Sequence, residues 1–284
     1  MIEPDNEPGT PAGSDAWRYP NRATPPGSSL YYAVRFAPRP LRDLLAALAG
    51  WRQQVHAVLD EVSDPGVARL KLDWWRDEIR RTLDGAPRHP LSHLLAAELA
   101  RRPGPPRLPA DAFLAIAERV EHELRRLRPA DDAALAAADR QDMGALFALM
   151  ARSHGLHDDA VLAAAVATGT WCAQVRRLRD AGLLLRRHRT VLPTATLQRA
   201  GLSHEALASA AQRHRLAELL TPVAERLQAN APRAALNTLP RALRIQQAIH
   251  TALLDELLRS KLAVADQRIG LTPLRKLGIA FLTR

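Results

Sequence analysis

Apolar residues recur along most of this chain at intervals of three and four, the repeat that gathers side chains onto one face of an α-helix. In LRDLLAALAGWRQQVHAVLDEVS the series Leu41, Leu44, Leu45, Leu48, Val55 and Leu59 keeps that spacing, and Asp64-Pro65-Gly66 ends it. A shorter helix is expected over SSLYYAVRF, opened by serine and closed by Pro38. Others are expected from Val67 to Asp84-Gly85, from Pro90 through SHLLAAELA, and over AFLAIAERVEHELRRL. DRQDMGALFALMARSHG reads as one amphipathic helix, and Asp158-Asp159 caps a long one running from Ala160 to Arg187. Breaks near Ser203, Pro232 and Pro240 divide a remainder that is helical to the end.

Residues 1 to 27 are rich in Pro, Gly, Ser and Asp, and a disordered or loosely laid segment is expected there. RRPGPPRLP is a clear breaker, but such breakers are too evenly scattered to cut the chain into units. The pattern predicts one all-α domain over residues 28–284.

Composition supports helix over sheet. Leu, Ala and Arg dominate and aromatics make up 4% of the chain, and straight-chain residues and Ala lose least on entering a helix. The one cysteine, Cys172, excludes an internal disulfide and a cysteine-built metal site, and its apolar helical setting predicts a buried, inert thiol. The chain has no run of about 18 apolar residues, and its N-terminus begins acidic without an apolar core. The expected location is the cytoplasm, with peripheral contact to the inner face of a membrane. A formal net charge of +10 predicts attraction to an anionic partner. Nucleic acid is disfavoured, because the arginines lack interleaved aromatics or a known binding motif. A Gly-rich phosphate loop, HExxH, GxSxG and zinc-ligand spacings are all absent.

The charge is concentrated in QVRRLRDAGLLLRRHRTVLP, where six arginines and a histidine face a single acid, Asp180. On the residues alone, Arg176 and Asp180 read as an exposed i,i+4 pair, and so do His56 and Asp60. Four segments in order change that reading: SSLYYAVRFAPRPLRDLLAALAGWRQQV, LDEVSDPGVARLKLDWWRDEI, FLAIAERVEHEL and RLRDAGLLLRRHRTVLP. Together they resemble the squalene/phytoene synthase family from about Ser28 to Arg284, with KLDWWRDE the most specific match. The resemblance implies the all-helical isoprenoid synthase bundle with a deep central pocket. Two helices of that pocket each carry carboxylates at i and i+4, which hold magnesium ions against a prenyl diphosphate.

Set against that pattern, the motifs here are broken. The first becomes His56-Ala57-Val58-Leu59-Asp60 and the second Asp180-Ala181-Gly182-Leu183-Leu184, so four carboxylates become two. Arg176 stands one turn before Asp180, where the family usually has asparagine, and AAADRQDMGALF lacks the expected tyrosines. Ser29, Tyr32 and Arg52 match pocket positions beside the diphosphate, so the implied pocket set is Ser29, Tyr32, Arg52, His56, Asp60, Arg176 and Asp180. Arg176 is expected to replace the lost metal charge and to pair with both Asp60 and Asp180. Leu183 and Leu184 are expected in the core, Trp74 and Trp75 in packing, and Glu118, Glu121 and Glu123 in solvent. The off-motif acids Asp139 and Asp142 are not expected at the site.

The resulting expectation is a member of the family without magnesium-dependent condensation and without a cofactor. It would act by binding an isoprenoid, an anionic lipid or a partner protein. The alternative is an active prenyltransferase, phosphatase or cyclase whose Mg2+ is held by the residual Asp60 and Asp180. The C-terminal RIGLTPLRKLGIAFLTR alternates basic and apolar residues, as a final bundle helix or a membrane-surface helix would.

Overall fold

In the computed structural model, which describes residues 13–101, 108–232 and 236–284, the periodic segments are helices and no strand occurs among the described residues. The order is α1 (Ser29–Arg35), α2 (Arg42–Glu61), α3 (Pro65–Leu83), α4 (Pro90–Ala100), α5 (Ala110–Leu124), α6 (Asp132–Asp139) and α7 (Ala145–Ser153). Then come α8 (Asp159–Arg186), α9 (Thr194–Arg199), α10 (His204–Ala208), α11 (Leu216–Ala229), α12 (Arg241–Arg259) and α13 (Pro273–Leu282). Helix starts follow local chemistry. The side chains of Ser28, Asp64 and Asp158 accept the backbone N–H groups of Tyr31, Val67 and Val161, using donors that a helix leaves free at its first turn.

The helices surround one apolar core in which α2, α5, α7, α8 and α12 are central. Trp51 on α2, Phe113 on α5 and Phe147 on α7 are fully buried. The rings of Trp51 and Phe113 meet edge to face at 5.0 Å, an arrangement worth about 0.5–1.5 kcal/mol beyond the area it buries. Trp75 is buried against Trp51, while Trp74 is partly exposed and packs on Trp75, so both serve packing. Cys172 is fully buried, and burial pushes its thiol pKa up. Helix α8 passes so close to its neighbours that a Cβ at Gly169 would overlap the Met143 carbonyl, and one at Gly182 the carbonyls of Val264 and Ala265. Glycine is required at both places by space, not by backbone angle.

Two expectations need correction. DRQDMGALFALMARSHG is not one continuous α-helix: Arg140–Gly144 form a π-helical turn between α6 and α7. The segment before Ser28 is also not loose where it is described. Ser14 and Thr24 are fully buried, and Ser14 Oγ donates to the Pro90 carbonyl at 3.0 Å. Asn21 Nδ2 donates to the carbonyls of Trp17 and Ala46, while its Oδ1 accepts the N–H groups of Ala23 and Thr24. Proline- and glycine-rich composition signalled irregular backbone correctly; side-chain hydrogen bonds then fixed that backbone to α2. Residues 1–12 lie outside the described residues. Among the described residues no helix is long and apolar enough to cross a membrane.

Candidate functional site

Helices α2, α5, α8 and α12 and the π-helical turn enclose a cavity of about 630 Å3, whose lining also includes Ser29 on α1 and Arg268 before α13. Apolar side chains such as Leu59, Val120, Leu146 and Leu184 form part of the wall. The charged part holds nine arginines against four carboxylates, a formal excess of five positive charges with histidines neutral. At an effective dielectric of 20, two unit charges 4 Å apart interact by about 4 kcal/mol, so such an excess strongly favours an anion.

The centre of this network is Asp142, carried by the π-helical turn. Arg52 grips it with two hydrogen bonds, Nε to Oδ1 at 2.6 Å and Nη2 to Oδ2 at 2.5 Å. His56 Nε2 meets Oδ1 at 2.9 Å. Arg52 and His56 are one helical turn apart on α2, so a single face presents both. Burial raises the Asp142 pKa, but Arg52 and then His56 outweigh it and hold the carboxyl well below its usual range. Burial in turn lowers the pKa of His56, with Asp142 opposing.

Each other acid of the lining is also engaged. Asp180 receives Arg179 Nε at 2.9 Å and Nη2 at 2.5 Å, and Arg268 Nε at 2.9 Å. Burial opposes its ionisation, yet these arginines lower its pKa. Glu123 accepts Arg119 Nη2 at 2.6 Å and the Thr190 N–H at 3.0 Å. Asp139 Oδ1 pairs with Arg177, but its Oδ2 is buried without a partner, and burial raises the pKa of the carboxyl despite the arginine. Arg176 differs from the rest. Its guanidinium reaches only the sulfur of Met143, at 3.6 Å, and no carboxylate lies within ion-pair distance among the described residues. Burial, with Arg52 and Arg179 nearby, lowers its pKa to about 10, so it stays charged at pH 7.

Ser29, Arg52, His56, Arg176 and Asp180 of the expected set line the cavity. Tyr32 does not: it is buried in the core, with its ring edge against Tyr31. Asp60 is also outside the lining, exposed at the end of α2, where Arg189 and Arg187 bind it at 2.5 and 3.2 Å. The expected pairing of Arg176 with Asp60 and Asp180 is therefore absent, because other arginines already occupy both acids. Leu183 and Leu184 both line the cavity; Leu184 is half-buried and also packs against the core as expected, whereas Leu183 is 37% exposed. Glu123 is drawn inward, whereas Glu118 remains exposed and Glu121 is half-buried against Arg76. Asp142, Asp139, Arg119 and Arg268 are the participants that motif matching passed over. For the two aspartates the available signal was a polar run, Asp139-Arg140-Gln141-Asp142, interrupting an otherwise apolar stretch.

A cluster of magnesium ions needs several free carboxylate oxygens. Here the cavity's acids carry guanidinium or imidazole partners, and the described residues contain no group of three or more His, Cys, Asp or Glu side chains placed to share a metal. The residues as arranged do not fit such a cluster. A second cavity of about 730 Å3 lies between α6, α8 and α11, with a mostly apolar lining that includes Leu135, Val166, Leu220 and Val223. The charged network converges on the cavity lined by Arg52, Arg176 and Asp142, which is the candidate site.

The fold is shared with solved structures of known proteins. A dehydrosqualene synthase in complex with ligand superposes with a TM-score of 0.72 at 16% identity, covering 89% of each chain. Squalene synthase HpnC from Alicyclobacillus acidocaldarius gives a TM-score of 0.70 at 22% identity, covering 84% of this chain and 92% of that one. YisP from Bacillus subtilis subsp. subtilis strain 168 gives 0.59 at 15% identity, covering 89% of each. Identities this low establish the isoprenoid synthase fold and nothing finer. No curated protein sequence matches the chain. The sequence model of the squalene/phytoene synthase family, however, matches residues 23–275, nearly the whole helical bundle. The chain belongs to the squalene/phytoene synthase family.

Proposed function

We propose that this protein binds an isoprenoid with a diphosphate or similar anionic head directly on its arginines, without a divalent metal, and does not condense it. The observation that carries the reading is Arg176: a charged guanidinium lining the cavity, with a thioether as its only hydrogen-bond acceptor among the described residues. Leaving a cation partly desolvated and unpaired is unfavourable unless a ligand supplies the counter-charge. Arg52, Arg179 and Arg268 lie in the same lining and add to the field, while Leu59, Leu146 and Leu184 offer an apolar wall to a prenyl chain. The aspartate motifs, reduced to Asp60 and Asp180, support the loss of magnesium chemistry, since both acids are committed to arginines.

Calorimetry with farnesyl thiodiphosphate, a non-reacting analogue, tests this reading. Binding should be nearly equal in EDTA and in magnesium, and Arg176→Met should weaken it about tenfold or more, as expected for a lost charge-assisted contact. Incubation of farnesyl diphosphate with magnesium should release no pyrophosphate. Binding that requires magnesium, or turnover abolished by Asp180→Ala, would overturn the proposal.

A further inference from the structure

Helix α13 presents its apolar side chains outward. Four of the nine large hydrophobic side chains exposed among the described residues fall on this ten-residue helix. Leu274, Phe281 and Leu282 are 79%, 70% and 78% exposed, and Leu277 is 36% exposed. Positions 274, 277 and 281 follow the i, i+3, i+7 repeat, with Leu282 beside them, so they form one stripe. A bundle helix ordinarily turns such a stripe to the core. The inward side of α13 is instead made by Ala280, which is fully buried, by Ile279, and by Lys276, whose Nζ donates to the Gly27 carbonyl at 3.0 Å.

The helix is held firmly in this orientation. Thr272 Oγ1 caps its first turn by accepting the Arg275 N–H. Arg241 of α12 closes the other end, donating to the carbonyls of Thr283 and Ala280 at 2.8 and 3.3 Å. The Pro273 ring sits against Gly27, whose φ of +84° belongs to the left-handed region and whose missing Cβ leaves room for the ring. The outward stripe is therefore a fixed surface.

The charge around the stripe is one-sided. Arg275 and Arg284 belong to the C-terminal segment itself, and Arg241 and Arg259 flank it from α12. Glu256 is the one carboxylate bonded to α13 among the described residues, and it is shared between Arg259 and Arg275 at 2.6 Å each. An apolar stripe inside a cationic border matches one class of partner. From this geometry we infer that α13 docks on an anionic lipid bilayer, with Leu274, Phe281 and Leu282 entering the headgroup–acyl boundary and the flanking cations meeting lipid phosphates. A two-fold contact with a second copy matches less well, because it would set the same cationic border against itself. The inward side of α13, opposite the docking face, holds Gly27, which is followed by Ser28 and Ser29 of the cavity lining. The inference does not depend on which ligand the cavity takes.

Vesicle flotation with the full chain tests it. Partition onto vesicles of phosphatidylcholine mixed with phosphatidylglycerol should exceed that onto phosphatidylcholine alone by about tenfold or more, and should fall in high salt. The double variant Phe281→Ser/Leu282→Ser should lose about tenfold in partition with its melting temperature unchanged, because both side chains are already exposed. Arg284→Gln should lose about fivefold. Three results would each overturn the inference: no flotation with anionic vesicles, a double variant that floats as well as the parent, or a dimer in sedimentation that the double variant converts to monomer.

Discussion

Glu78 on α3 and Arg176 on α8 are both ions withdrawn from bulk water, and the protein treats them in opposite ways. Glu78 is fully buried. Its Oε1 accepts the N–H groups of Arg88 and His89 at 2.8 and 2.7 Å, and its Oε2 receives Arg81 at 2.9 and 3.1 Å. Burial would raise its pKa, but those backbone N–H groups and Arg81 lower it, so the ionised form is secured. The carboxylate ties the end of α3 to the start of α4 and has no capacity left for anything else. Arg176 has five N–H donors and, among the described residues, a sulfur as its one acceptor. A saturated charge belongs to the architecture; an unsaturated one lining a cavity is available to a ligand.

The contrast is open to measurement, and the largest effect is expected at Glu78. Replacing it with Ala leaves two backbone N–H groups and a guanidinium without their acceptor, and should cost about 3–5 kcal/mol in urea unfolding. A loss under about 1 kcal/mol would erase the distinction between the two regions. Asp142→Asn is intermediate, because it strands Arg52 beside a cavity that water can reach. It should cost about 2–3 kcal/mol while tightening the binding of inorganic pyrophosphate, since one competing carboxylate is gone. Weaker pyrophosphate binding would mean that Asp142 organises the arginines instead of neutralising them.

His250, a fully buried residue of α12 in the cavity wall, sharpens the comparison through pH. Its Nδ1 donates to the Gln246 carbonyl at 2.6 Å, and burial, with Arg176, Arg179 and Lys276 nearby, lowers its pKa to about 3. The unfolded chain therefore binds the extra proton first. Stability from this group is complete above about pH 6.5 and declines as the pH falls toward about 3. Between pH 7.5 and 5 the parent should lose about 1–2 kcal/mol more than His250→Leu does, read from urea midpoints. The smallest effect is expected at Arg176. Arg176→Met should alter stability by less than about 0.5 kcal/mol or raise it, even as anion binding falls. A large destabilisation would show that Arg176 has a structural counter-ion after all.

Much of the fold was legible because helical repeats encode it directly. The α2 series from Leu44 to Leu59, the Asp158 cap and the buried Cys172 all follow from spacing and residue type. The site was legible where one helix face sets it, as with Arg52 and His56, and Arg176 and Asp180. It was not legible where partners come from separate elements. Arg268, beyond α8, joins the adjacent Arg179 on Asp180, and Arg187 and Arg189 take Asp60 at the end of α2, so the one-turn spacing of Arg176 and Asp180 misdirected the expected pairing. Tyr32 matched a pocket position in register, yet packing turned its ring into the core. Asn21 fixes a segment whose composition suggested slackness, because hydrogen bonds to specific carbonyls leave no compositional trace.

The π-helical turn at Arg140–Gly144 gives this molecule an unusual genetic sensitivity. Such a turn accommodates one more residue than a regular helix does. Removing Arg140 or Gln141 would therefore be absorbed as a regular helix, with Leu146 and Phe147 still turned to the core. The interval between Asp139 and Asp142 would shrink from three residues to two, and with about 100° per residue in an α-helix the two acids would meet Arg177 and Arg52 at altered angles. An in-frame deletion that touches neither aspartate would thus leave the core in place while changing the electrostatics of the cavity.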